Sequence, residues 1–387
     1  MSITVRKGTF MGEPARIRMV AVGPDDEQEK QAWLNALEQV IDNNGYCLGK
    51  SVEDFESRCK EELGVRHALG VSNGTDGLKL ALKAVGVNAG DEVILPAYSF
   101  FSTASVIAHL GAIPVFVDLD PRTLLIDPSL IPAAITEKTK AIMPVQLYGQ
   151  TADMTAIMKI AEEAGIPVVE DAAQSFGVRY MDQPAGAIGS AGAFSFYPTK
   201  NLAAAGDAGM VVTQDDEVAE RMRQLRVHGD LGGYRHHSLG WNARMDGFQG
   251  AILSIRLDRL AGQQQKRQQN ANEYIETLNR MQLLDRIQLL ERTPGSDHCW
   301  HQFILLVEDR DRIRQQLSEK GIDSGIYYPG TLPAQPCFTD LGYRPENYPV
   351  AQQAAEKVLA LPIHHRLNPG DPQRVVETLA GILQPTI

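Results

Sequence analysis

Residues 168–177 read VVEDAAQSFG, and residues 193–212 read AFSFYPTKNLAAAGDAGMVV. Each opens on a short apolar run of strand length and then stops on polar side chains. In the first, Val168 and Val169 lead into Glu170 and Asp171. In the second, the run ending at Phe196 passes through Tyr197-Pro198-Thr199 into Lys200. Strands that stop in this way suit an open α/β sheet, whose ligands sit beyond the carboxyl ends of the strands.

The flanking sequence has the matching rhythm. HALGV (67–71), EVILP (92–96), PVFVDLD (114–120), KAIMPVQLYG (140–149) and GMVVTQ (209–214) read as strands. Between them, residues 75–85 carry an apolar stripe of Leu78, Leu80, Ala81, Leu82 and Val85, and 152–165 is a helix stopped by Gly165. The alternation predicts an α/β fold: a mostly parallel sheet covered by helices on both faces. After Glu217 the pattern turns helical. One helix runs to about Arg226, and a long one over 245–278 is expected to kink or break near Gly262. WHQFILLV (300–307), a helix at 313–321, GIYYP (325–329) and a closing helix at 372–383 predict a small C-terminal α/β domain. The expected division is an extension at 1–20, a large domain at 21–290 and a small one at 291–387.

A length of 387 residues fits two domains. With 43% hydrophobic and 22% charged residues, the chain reads as an ordinary globular protein. The net charge of −11 disfavours nucleic acid and anionic membranes as partners. The first twenty residues lack the apolar core of a secretory signal, and no run approaches a membrane span. Cys47, Cys59, Cys299 and Cys337 form no C-x-x-C pair and no zinc pattern. These features predict a cytoplasmic protein with reduced thiols and no metal. His228, His364 and His365 read as loop or core residues.

Taken singly, a loop lysine is a surface charge, an aspartate after a strand is a helix cap, and Ser72-Asn73-Gly74-Thr75 is a cap and turn. Together Lys200, Asp171 and Ser195 match the needs of pyridoxal 5′-phosphate (PLP) chemistry. A lysine holds the cofactor as a Schiff base, and a carboxylate keeps its pyridine nitrogen protonated. The phosphate needs hydroxyls and free N–H groups at a helix start. Gly74 offers that start, where a strand turns straight into a helix. Phe100, with Tyr98 as a second candidate, could supply an aromatic face.

These blocks resemble the sugar aminotransferase family often called DegT/DnrJ/EryC1/StrS, within the fold-type I PLP enzymes. The resemblance runs from about Gly45 to Pro362. It is carried by GYCLGKSVEDFE (45–56), SNGTDGLKLAL (72–82), GDEVILPAYSFFSTASVI (90–107), GAIPVFVDLDPRTLLIDP (111–128), LYGQTADM (147–154) and GWNARMDGFQGAIL (240–253), besides the two opening stretches. It implies that Lys200 is the Schiff-base lysine and proton shuttle and that Asp171 faces the pyridine nitrogen. It also implies that Gln174 approaches the ring hydroxyl, that Gly74, Thr75 and Ser195 hold the phosphate, and that Phe100 stacks on the ring. Asn242 and Arg244 are implied to reach into the partner subunit's site, making a homodimer with shared sites.

The resemblance further implies transfer of an amino group from an amino acid, L-glutamate, to a nucleotide-linked 3- or 4-keto-6-deoxyhexose or a keto cyclitol. Pyridoxamine phosphate would form between the half-reactions. One departure is Pro333, which stands where the family usually carries a histidine. Two competing readings are a sugar dehydratase of the same fold and a non-catalytic PLP-binding regulator. The former replaces the lysine by histidine or adds cluster-binding cysteines, and Lys200 with the scattered cysteines counts against it. The intact set of Lys200, Asp171 and Ser195 counts against the latter.

Overall fold

The computed structural model describes residues 16–383. Seven strands build the main sheet: β1 (His67–Val71), β2 (Glu92–Pro96), β3 (Ile113–Val117), β4 (Thr139–Ile142), β5 (Val169–Asp171), β6 (Ala191–Ser195) and β7 (Gly209–Thr213). Hydrogen bonds give the runs β3-β2-β4 and β1-β7-β6-β5. Parallel bridges from Ile142 to Val168 and from Val145 to Asp171 join them into one sheet. Only β7 runs antiparallel to its neighbours.

Side chains alternate across the pleat, so each strand feeds two cores. Leu69, Val71, Val211 and Ala193 enter one core with Leu78, Ala81 and Leu82 of α3 (Gly74–Ala84). Ala68, Met210, Val212 and Phe194 enter the other, with Val52, Phe55 and Leu63 of α2 (Lys50–Leu63). Helices on both faces thus explain why the strands are apolar throughout.

A second antiparallel sheet holds β8 (Ile287–Leu289), β9 (Phe303–Val307) and β10 (Val358–Leu361). Ile313, Leu317, Val375 and Leu379 cover it. A single helix, Gly247–Arg280, serves both regions. Leu253 and Leu260 lie in the α2 core, and Tyr274 and Leu278 lie in the core of the small sheet. The expected break near Gly262 does not occur. An exposed glycine costs a helix about 1 kcal/mol, and packing at both ends outweighs that. Of the expected extension, residues 1–15 lie outside the described residues. Ile17 pairs with the 321–323 turn, Ile17 N–H donating to Gly321 O and Asp323 N–H to Ile17 O, both at 2.9 Å. Its side chain enters the small-sheet core.

All four cysteines are free. Among the described residues, no helix is long and apolar enough to cross a membrane. His364 is buried, and His365 sits in a half-buried junction beside it. The Asp25 carboxylate receives His365 Nε2 at 2.7 Å, Arg366 Nε at 2.6 Å and Gln263 Nε2 at 2.7 Å. Burial raises the Asp25 pKa, but the His365 and Arg366 contacts outweigh it and hold the carboxyl well below the usual range.

A group depressed in the folded state stabilises the fold above its unfolded pKa and loses that contribution as pH falls. Asp25→Asn should therefore cost about 2 kcal/mol at pH 7. The gap from wild type should narrow as pH drops below about 4, measured by urea unfolding across pH.

Candidate active site

A cavity of about 700 Å³ opens beyond the carboxyl ends of β2, β5 and β6. It is lined by Gly74, Thr75, Phe100, Asp171, Gln174, Ser195 and Lys200, so seven of the nine residues singled out in the sequence share one space.

Alternation along β5 separates its two acids. Glu170 is fully buried and receives the N–H groups of Gly186 (2.8 Å), Ile188 (2.7 Å) and Gly189 (2.8 Å), besides Gln146 Nε2 (2.7 Å). It holds a loop. Asp171 faces the cavity instead. Its Oδ2 accepts from Thr103 Oγ1 at 2.8 Å and its Oδ1 from Ala173 N–H at 3.2 Å. Ser99 Oγ sits 2.9 Å from Thr103 Oγ1, so a pair of hydroxyls fixes the carboxylate. Burial raises the Asp171 pKa, while Thr103, Ala173 and Lys200 pull it down.

Lys200 follows β6 in a tight turn, its N–H donating to Tyr197 O at 2.8 Å. Desolvation draws its amine down to about 8, against the attraction of Asp171. A lysine at that value is partly neutral near physiological pH, and that fraction can act as nucleophile and base.

Gly74 is required by close approach. A Cβ there would stand 2.8 Å from the Ser195 Cβ, and one on Gly209 would stand 2.5 Å from the Asn73 carbonyl carbon. The two glycines let the end of β6 abut the start of α3. Asn73 caps that helix by accepting Asp76 N–H at 2.8 Å. Helix geometry leaves the other first-turn N–H groups without intrahelical partners. Thr75 Oγ1 lies 2.7 Å from Ser102 Oγ. Thr75, Ser102 and Ser195 therefore place three hydroxyls around a helix start, a ready anion cradle.

The two aromatic candidates separate. Phe100 lines the cavity and is 53% exposed. Tyr98 is fully buried and donates to Tyr328 O at 2.9 Å, so it anchors the Tyr327-Tyr328 loop from beneath. Gln174 uses both ends of its amide: Oε1 accepts Tyr148 N–H at 2.7 Å and Nε2 donates to the Tyr328 hydroxyl at 3.1 Å. Asn242 and Arg244 do not line this cavity. Arg244 Nε donates to Asn242 Oδ1 at 3.0 Å, and Ala243 O receives Ser72 N–H at 3.1 Å. The segment is thus tied beside the turn that opens α3, with Asn242 exposed. Pro333 is buried, and neither it nor Gln335 lines the cavity.

Tyr327 and Tyr328 line the cavity and belong to the 327–335 loop that the sequence offers, with 45–49, as a candidate for sugar recognition, whereas Thr103, Ser102, His301 and Gln302 were not reached from sequence. Thr103 and Ser102 sit inside an apparent helix pattern. His301 and Gln302 precede β9, and their only signal is a polar pair heading an apolar strand.

The chain belongs to the DegT/DnrJ/EryC1/StrS aminotransferase family, a family of PLP-dependent aminotransferases, whose profile matches residues 27–380. It is 42% identical to the "pleiotropic regulatory protein" of Geobacillus stearothermophilus, over 94% of this chain and 98% of that one. It is 40% identical to the UDP-N-acetyl-3-dehydro-alpha-D-glucosamine 3-aminotransferase of Acidithiobacillus ferrooxidans, over 92% and 93% of the two chains. Among solved structures, S. venezuelae DesV in complex with a ketimine intermediate superposes with a TM-score of 0.92 at 37% identity, covering 96% of this chain and 100% of that one. The fold is therefore that of a PLP-dependent sugar aminotransferase.

Removing the Thr103 hydroxyl takes away a donor that favours ionised Asp171. Thr103→Val should lift the Asp171 pKa further and move the acidic limb of the kcat/KM profile to higher pH, while Thr103→Ser should leave it in place. An unmoved limb in Thr103→Val would show that the hydroxyl does not govern this carboxylate.

Proposed function

We propose that this cavity holds PLP on Lys200 and that the protein transfers an amino group from L-glutamate to the keto carbon of a nucleotide-linked sugar. A 3- or 4-keto-6-deoxyhexose is the acceptor class, and the setting is amino-sugar biosynthesis in the cytoplasm. The observation that carries this reading is the meeting of a weakly basic lysine, a buried carboxylate and an open helix start on one cavity wall.

These residues fit the cofactor. The cradle of Gly74, Thr75, Ser102 and Ser195 would take the phosphate, Asp171 the pyridine nitrogen, Gln174 the ring hydroxyl and Phe100 the ring face. When bound, PLP supplies the electron sink and carries the amino group as pyridoxamine phosphate between the two half-reactions. Lys200 Nζ would take the proton from the α-carbon of the donor and deliver it to the carbon receiving nitrogen, then reverse the transfer for the sugar. Asp171, whose ionised form Thr103 and Ala173 favour, would balance the positive ring nitrogen throughout. A cavity of about 700 Å³ is of the size usual for a small-molecule site.

The name of the Acidithiobacillus relative supports a nucleotide-sugar acceptor. The Geobacillus relative's name describes a regulator, yet in this chain Lys200 and Asp171 stand together on an open cavity, which favours catalysis. The amine at position 200 favours transamination over the dehydratase reading.

A homodimer would complete the sites. Asn242 and Arg244 lie outside their own cavity but beside its rim, where a two-fold partner could receive them. An asparagine amide can donate to a phosphate oxygen, and an arginine can neutralise it.

Incubation with L-glutamate and a panel of nucleotide keto sugars should release 2-oxoglutarate, whereas activity confined to simple keto acids would exclude the sugar acceptor. Borohydride should fix PLP covalently to the peptide bearing Lys200 and leave no such adduct in Lys200→Ala. Asp171→Asn should keep the cofactor and lower turnover by about two orders of magnitude or more, since an amide cannot balance a pyridinium charge.

The shared site is checked by mixing two inactive variants, Lys200→Ala and Asn242→Asp. Equal co-assembly makes about half the dimers mixed, and one site in each of those is intact. About a quarter of wild-type activity should return. Activity no better than the parents', with mixed dimers present, would place Asn242 within its own site.

A further inference from the structure

Resting on the proposed function, we propose that His301 and Gln302 form the acceptor-recognition edge of the cavity, with His301 Nε2 and Gln302 Oε1 accepting hydrogen bonds from ring hydroxyls of the sugar. Both side chains line the cavity, and both residues are more than nine-tenths buried, at 6% and 8% exposed.

The orientation of His301 follows from its neighbour. Asn201 Nδ2 donates to Cys299 O at 2.8 Å, which leaves Asn201 Oδ1 facing His301 Nδ1 at 3.2 Å. An amide oxygen only accepts, so Nδ1 carries the proton. Burial, then the nearby Lys200 and Arg267 cations, hold the His301 pKa well below its ordinary value, so the ring is neutral. A neutral imidazole protonated at Nδ1 keeps its lone pair at Nε2.

Gln302 supplies the second acceptor. Its backbone N–H donates to Tyr148 O at 3.2 Å, which fixes the residue at the wall. Its Oε1 is buried with no hydrogen-bond partner among the described residues. Buried acceptors left unpaired are costly; this one lies just behind the cavity wall, and a turn of the Gln302 side chain would present it to a ligand donor.

The chemistry selects between the two substrates. Glutamate brings two carboxylates, which need donors or cations, and its single amine is the reacting group. A pair of neutral acceptor atoms suits hydroxyl groups, and neither His301 nor Gln302 offers a carboxylate a cation. The edge should therefore act in the acceptor half-reaction and not in the donor half.

The test times the two half-reactions separately on the holoenzyme by single-turnover absorbance. Gln302→Met removes the acceptor at nearly constant volume, and His301→Gln is the second variant. L-Glutamate should convert Gln302→Met within about twofold of the wild-type rate. The reaction of its aminated form with a nucleotide keto sugar should lose at least about tenfold in kcat/KM. An acceptor lacking the recognised hydroxyl should react as poorly with wild type as the full acceptor does with the variant, and the two defects combined should add little.

Equal losses in both halves would make the pair a framework element and overturn the proposal. An undiminished acceptor half in both variants, with wild type active on the sugar, would overturn it alone. A wild type that accepts glutamate but transfers only to small keto acids would overturn the proposed function and this edge with it.

Discussion

The molecule depends on how the middle of its large sheet is closed. Asp171 N–H donates to Pro144 O, and Gln146 N–H donates to Asp171 O, both at 2.9 Å. With the Ile142–Val168 bridge, these bonds unite two runs of strands into one sheet. The residue that completes the seam is also the acid that faces the cavity. Its backbone is therefore fixed by the sheet, and only its carboxylate is free to answer to Thr103 and Lys200. Shifting the seam by one residue would exchange Asp171 for Glu170, since the side-chain period of a strand is two. The four donors gathered on Glu170 oppose such a slip, because each would be left unpaired.

The same seam sets the distance from the acid to the hydroxyl-lined start of α3. Beside it, β6 ends at Ser195, and the turn beyond carries Lys200. Two glycines, Gly74 and Gly209, let the start of α3 and the end of β6 close on each other with no side chain between. Acid, amine and helix start are thus held by backbone, and hydroxyls fill the remaining positions. Electrostatics follows from this packing. The lack of solvent raises Asp171, lowers Lys200 and keeps His301 neutral, so three titratable groups take distinct roles within one space.

Much of this was legible because it is local. Strand periodicity, the Ser72–Asp76 turn and the order of the motif blocks each lie within a few residues, and they place Lys200, Asp171, Gly74 and Ser195. What escaped is non-local or geometric. Thr103 meets Asp171 across 68 positions, and His301 meets Asn201 across 100, with no spacing rule to announce either pair. The choice between Tyr98 and Phe100 needed to know which side of the β2 end faces inward. The expected break at Gly262 weighed a local propensity and could not weigh the packing that holds both ends of the helix. Asn242 and Arg244 belong to a segment whose chain position is clear, yet neither lines the cavity that gathers the other seven residues.

The unbroken helix Gly247–Arg280 has a consequence for how the protein comes apart. It contributes side chains to the α2 core and to the core of the small sheet, and the buried Arg267 within it donates to Trp300 O at 2.9 Å and Ile363 O at 2.8 Å. Neither core can lose its share of the helix without exposing part of the other. The two regions are thus one cooperative unit in unfolding despite their separate sheets, and damage to the small sheet would be felt at Lys200 through the same rod.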